Sequence, residues 1–263
     1  MATQTTPVCP ASLDGSPLHL SIGEIPLALH VPEGDLRRRA SVRYTGFTSP
    51  GADGFPIFLE DSALPGAPAS RFRYTLHDNS QIQMDRDFAK IFGVRHEYAL
   101  DSLVRILLSV MLLDRKGFLL HAASVTRNGK AFIFPGRSGA GKSTVASLAP
   151  SGSVLTDEIS LLSLAAGAWR AHGTPFWGEF RAAGANVSAP VHGVYFLVQA
   201  PENRIERMSP GEGLRALLPK VLFFSADRLQ TEKLLEILTE AVAGIPFHRL
   251  YFRRDPSFWE VLE

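Results

Sequence analysis

Gly136-Arg137-Ser138-Gly139-Ala140-Gly141-Lys142-Ser143 is the segment of this chain best equipped for chemistry. It fits the phosphate-loop pattern G-x-x-x-x-G-K-[ST], in which glycines let successive backbone N–H groups turn toward an anion. A helix that follows adds the partial positive charge of its N-terminus. In this pattern Lys142 reaches the β- and γ-phosphates of a nucleotide, and the Ser143 hydroxyl ligates Mg²⁺. The expected nucleotide-binding set is therefore Gly136, Arg137, Ser138, Gly139, Ala140, Gly141, Lys142, Ser143 and Thr144, with ATP and Mg²⁺ as cofactors. The competing reading is a Gly/Ser turn that happens to carry Lys-Ser. An apolar strand-like run at 131–134 and a helix-like run at 144–148 favour the phosphate loop.

Three further groups can act beside it. Asn128-Gly129 is a strong two-residue hairpin signal between two apolar, β-prone runs, 118–126 and 131–135. If these two form the turn, Arg127 pairs with Lys130 and His121 lies opposite Gly136. That register delivers an imidazole to the phosphate loop, as a phosphate contact or proton carrier. A slip of one residue turns it to the other face, where it is a structural histidine. Asp157-Glu158 ends the apolar strand after the loop's helix, where a carboxylate can take a hydroxyl proton or hold Mg²⁺. Two adjacent acids allow Asp157 to act as base and Glu158 to face the metal; the alternative is a turn pair or helix cap. In 173–184, Glu179 is placed to reach Mg²⁺ and Arg181 a phosphate, unless this is a solvated charged loop. Arg253 and Arg254 either stabilise transition-state charge or form a solvated basic end.

The elements that must position these residues follow from patterning. Residues 1–16 read as a disordered tail without the apolar segment of a secretory signal. Residues 17–100 read as a β-rich region with strands at 18–30, 40–45, 55–59 and 71–76. No chemical motif stands out there. Asp101-Ser102 is the expected cap of a helix in which Leu103, Ile106, Leu107 and Val110 share a face. Residues 101–263 then form the nucleotide-binding unit, with strands at 154–157, 191–199 and 248–253, a hairpin turning at Ala166-Gly167, and helices at 214–218, 231–242 and 256–262. Overall the chain reads as α/β.

Composition narrows the function classes. Of 263 residues 45% are hydrophobic, enough for a sizeable core, and the net charge of +1 offers no footprint for nucleic acid or an anionic membrane. The longest apolar stretch, 103–113, is too short to span a membrane and carries Arg105. A single cysteine, Cys9, leaves no internal disulfide and no cysteine-based metal site, which fits a cytoplasmic protein. Oligomeric state is not set by the sequence, and a homo-oligomer is compatible with it.

Taken in order, His121 within Leu120-His121-Ala122-Ala123-Ser124, an intervening hairpin, the 136–143 loop and Thr156-Asp157-Glu158 resemble the HPr kinase/phosphorylase family. More loosely they resemble the phosphoenolpyruvate carboxykinases that share its nucleotide core. The short gap from Lys142 to Asp157 is typical of the family, and 179–184 resembles its Glu-Ile-Arg-Gly-x-Gly signature in degraded form. The specific motifs cover about residues 118–200. The resemblance implies a carboxykinase-like nucleotide domain that transfers the γ-phosphoryl of ATP to a Ser or Thr hydroxyl of a peptide or protein. It implies His121 and Lys142 in the active site, Asp157 as the base, and Ser143 and Glu179 on Mg²⁺. Departures point to a divergent member, similar to small kinases of modified-peptide pathways. Thr144 replaces a glutamate, Glu158 a second aspartate and Ala182 a glycine. Two rivals stay open: a small-molecule kinase on the same core, and an ATP-binding switch or scaffold that no longer transfers phosphate.

Overall fold

In the computed structural model residues 15–51, 53–61, 72–136, 139–178 and 184–262 are described. They form a mixed α/β structure with two sheets and several helices. The expected tail 1–16, Cys9, Arg137, Ser138, Glu179 and Arg181 fall wholly or largely outside the described residues.

The first sheet is built from β1 (Leu18–Ile22), β2 (Ile25–His30), β3 (Phe55–Glu60), β4 (Phe72–Thr75), β5 (Gln81–Met84) and β6 (Ala89–Phe92), in the order β1-β2-β3-β6-β5-β4. The expected single strand at 18–30 is a tight hairpin turning at Gly23-Glu24, both at positive φ. The expected strand at 40–45 is instead part of helix α1 (Asp35–Arg43). Its Val42 and Tyr44 suggest a strand, but Asp35 in the first turn pairs with Arg38 and Arg39, at 3.0 and 3.1 Å, on the following turn. A buried Arg43–Asp101 ion pair then fixes the end of α1 against the next helix.

That helix, α2 (Glu97–Met111), begins four residues before the expected cap. His96 caps it, with Nδ1 accepting the Ala99 N–H at 3.1 Å. Asp101 lies inside the helix and is only 1% exposed. The helix packs Leu100, Leu103, Leu107 and Leu108 into one core with Leu27, Ile57 and Ile91 of the first sheet and Leu119, Ile159 and Leu161 of the second. Each such side chain contributes about 1.5–3 kcal/mol on burial, so α2 joins the two sheets.

The second sheet contains β7 (Gly117–Arg127), β8 (Lys130–Pro135), β9 (Val154–Thr156), β10 (Ile159–Ala165), β11 (Ala168–His172), β12 (Ser188–Gln199), β13 (Arg204–Arg207), β14 (Val221–Leu222) and β15 (Phe247–Phe252). Its main path is β11-β10-β7-β8-β12-β15-β13, with β9 and β14 paired to β7. Around it lie the short α3 (Lys142–Ser147), α4 (Pro210–Leu217) and α5 (Arg228–Gly244). The expected closing helix at 256–262 is 3₁₀. Strand β7 changes partners along its length. Residues 117–121 pair with β10, and residues 122–127 pair with β8.

Among the described residues, five imidazoles sit below their ordinary pKa: His30, His121, His172, His192 and His248. Burial is the first cause in each. The unfolded chain takes up these protons near pH 6.5, before the folded chain does. The unfolded state therefore binds more protons in that window, and stability falls as pH drops below about 6.5. We expect a lower melting temperature at pH 5.5 than at pH 7.5; an unchanged midpoint would mean that these rings are solvated.

Candidate functional site

The β7–β8 hairpin has the register that the Asn128-Gly129 turn dictates. Both turn residues have positive φ, 51° and 72°, as a type I′ turn requires. Arg127 pairs with Lys130, and the ladder runs unbroken to Ala122 opposite Pro135. The next residues along the two strands are His121 and Gly136. His121 also sits where β7 leaves β8 for β10, paired there with Ile159.

The loop after β8 turns into α3 at Gly141, whose φ of 111° is closed to ordinary side chains. A Cβ there would also meet the Phe252 ring at 2.5 Å, so β15 forms the floor under the loop. The Lys142 side chain points inward, only 8% exposed, and its Nζ donates to the Gly136 carbonyl at 3.0 Å. Gln199, at the end of β12, donates to the Gly139 carbonyl at 2.9 Å and accepts from Arg254 at 2.9 Å. Arg254 is thereby held beside the loop. Arg253 is turned to Asp255 at 2.9 Å and does not line the cleft, because its backbone N–H is tied to Asn203.

The acid pair is fixed from three sides. Strand β9 runs antiparallel to β7, so its end returns to the level of the loop. The Thr156 hydroxyl accepts the N–H groups of Glu158 and Ile159, each at 3.2 Å, and shapes the turn. It donates in turn to the Phe176 carbonyl at 3.0 Å, drawing the 173–178 segment alongside β9. Gly178 then donates its N–H to Asp157 Oδ1 at 3.0 Å. Asp157 is 5% exposed. Glu158 lies 3.7 Å from Arg105 of α2. Burial pushes its carboxyl above the usual range, and the Arg105 guanidinium partly offsets this.

These elements enclose a cleft of about 390 Å³. His121, Lys142 and Arg254 line it against Asp157 and Glu158; Gly139, Gly141, Ser143, Thr144 and Gly178 complete the wall. Burial, then the Lys142 charge, holds the His121 imidazole below its ordinary pKa, so it is neutral at pH 7. Among the described residues no three His, Cys, Asp or Glu side chains cluster closely enough to hold a metal by themselves. Ser143 and Glu158 face the same cleft, and a divalent ion there would need oxygen atoms from a ligand or water as well. The inward ammonium, the loop glycines and the neighbouring carboxylates suit a phosphorylated ligand accompanied by such an ion.

A family model described as SynChlorMet cassette protein ScmC matches residues 97–263. The chain belongs to the ScmC family. The matched span begins with the first residue of α2 and includes every residue of the cleft in this ScmC-family chain. No curated protein matches it. No helix among its described residues is long and apolar enough to cross a membrane.

Sequence reasoning missed four contributors. Arg105 registers in the sequence only as a charge interrupting an apolar stretch. Arg43 lies in a segment read as a strand, yet its guanidinium packs 3.8 Å over the Trp177 ring. Trp177 and Gly178 lie inside a turn-rich segment whose evident chemistry is that of its two charged residues. A tryptophan between turn formers is the signal that could have marked that wall.

Proposed function

We propose that this protein is an ATP-dependent phosphotransferase, similar to the HPr kinases, that phosphorylates a Ser or Thr hydroxyl of a polypeptide. The observation that carries the reading is the convergence of His121, Lys142 and Asp157 on one cleft from three separate elements. ATP, with Mg²⁺, supplies the transferable phosphoryl group when bound. Lys142 binds its phosphates by charge, and Ser143 and Glu158 hold the cation. Asp157, kept in place by the Gly178 N–H, accepts the proton of the acceptor hydroxyl. Neutral His121 accepts or donates one hydrogen bond at the reacting group, and Arg254 neutralises charge at the mouth. Glu179 keeps the role the resemblance implies, as a cation ligand, and Arg181 the phosphate contact expected from its place in the sequence. The word cassette in the family description directs the search for the acceptor to polypeptides encoded beside this chain.

Lys142→Ala tests the nucleotide assignment. Loss of a charged hydrogen bond to phosphate removes about 1.5–3 kcal/mol, roughly ten- to a hundredfold in Kd. Calorimetric titration of Mg-ATP into the wild type and the variant should show that weakening. Equal affinities, or no binding to the wild type, would overturn the reading.

A further inference from the structure

A second groove, of about 340 Å³, lies between α1 and the start of α2. Val42 and Tyr98 are exposed in it, at 76% and 57%, and Trp177 closes one end. Helix α1 carries Arg37, Arg38, Arg39 and Arg43 within nine residues and a single acid, Asp35. In a chain of net charge +1 this is a local concentration. Arg43 is 5% exposed and binds Asp101 through Nη2, while its Nε and Nη1 have no hydrogen-bond partner among the described residues. Arg43 therefore belongs to the floor of the groove, under Trp177, and the cations a carboxylate can reach are Arg38 and Arg39.

We propose that this groove docks an acidic polypeptide segment carrying one apolar anchor residue, and that the segment belongs to the phosphate acceptor. Val42 and Tyr98 offer the apolar contact, and Arg38 and Arg39 offer the charge. The ion pairs of Arg38 and Arg39 with Asp35 are at the surface and exchange readily with incoming carboxylates, whereas Glu97 beside Arg39 is only 19% exposed. The exposed apolar pair of Val42 and Tyr98 gives a peptide side chain a contact that a nucleic-acid phosphate backbone does not use. The groove also shares a wall with the cleft. Trp177 is followed by Gly178, which lines the cleft and holds Asp157. A chain lying along α1 is thereby delivered to the acid pair. Assigning the occupant as acceptor rests on the proposed phosphotransfer; the docking does not.

The test is selection of short random peptides on the full chain without nucleotide, followed by fluorescence anisotropy of the enriched peptides. Enriched sequences should carry net negative charge and a Leu, Phe or Trp. Their Kd should rise about tenfold or more in the R38E/R39E variant, with its Mg-ATP affinity unchanged. Failure to enrich, enrichment of sequences without acids, or equal affinity for the variant would overturn the proposal. So would oligothymidylate binding as tightly as the peptides and weakening in the same variant. Peptide binding lost in R38E/R39E, with no phosphate transferred to any acceptor, would uphold the docking site and overturn the phosphotransferase reading instead.

Discussion

Asp157→Asn should keep Mg-ATP affinity and lose about 10²–10⁴-fold in kcat. The amide is nearly isosteric, and its carbonyl oxygen can still accept the Gly178 N–H, so the turn between β9 and β10 is preserved. What the amide cannot do is accept a proton from a hydroxyl. A loss confined to kcat marks an interaction made in the transition state. Burial and the bond to Gly178 already fix the side chain's direction into the cleft, so repositioning is a poor explanation for such a loss. Turnover at the wild-type level would reassign the base, with adjacent Glu158 as successor. Burial raises the Glu158 carboxyl above its usual range, which suits a proton acceptor.

Asp101→Ala should be the most destabilising change at a charged position. Asp101 is buried against Arg43 and Arg105 and accepts the Tyr44 hydroxyl at 3.3 Å. Removing it leaves the Arg43 guanidinium buried without a counter-ion, at a cost of about 3–5 kcal/mol. At roughly 2–4 °C per kcal/mol the melting temperature should fall by roughly 6–20 °C. Asp101→Asn keeps the hydrogen bond to Tyr44 and should recover part of this. Scanning calorimetry of the three proteins decides the matter. A loss under about 1 kcal/mol is the size expected of a solvated surface pair, and would deny the cluster its role in joining α1 to α2.

What could be read from the sequence, and what could not, divides by the range of the interactions involved. The hairpin at Asn128-Gly129 is a local signal with one geometric solution, so the position of His121 opposite Gly136 follows from it. Loop glycines, the apolar run of β7 and the apolar pattern of α5 are equally local. Helix α1 is different. Its sequence, with three arginines followed by Ala40, Ser41 and Val42, has no clear apolar face, and its end is fixed by Asp101, 58 residues away. The start of α2 at Glu97 differs from the expected one for a related reason. Asp101 resembles a cap in sequence, but it is committed to two arginines, and a histidine ring caps the helix instead. Strands β5 and β6 are four residues each, so their pattern is too short to register. In the site, Lys142 and the acid pair are motif residues and could be named in advance. Arg254 could be named only together with Arg253, and Arg105 and Gly178 enter through contacts that sequence spacing does not encode.

The central claim is phosphate transfer from ATP to a polypeptide hydroxyl at the His121–Lys142–Asp157 cleft. The measurement that tests it most directly is mass spectrometry of the polypeptides encoded beside this chain, after incubation with enzyme and Mg-ATP labelled in the γ-phosphoryl group. The account predicts labelled phosphate on a Ser or Thr of one of them, dependent on Mg²⁺ and lost with Asp157→Asn. Tightly bound Mg-ATP with label on none of these polypeptides, or label only on a small alcohol, would contradict it.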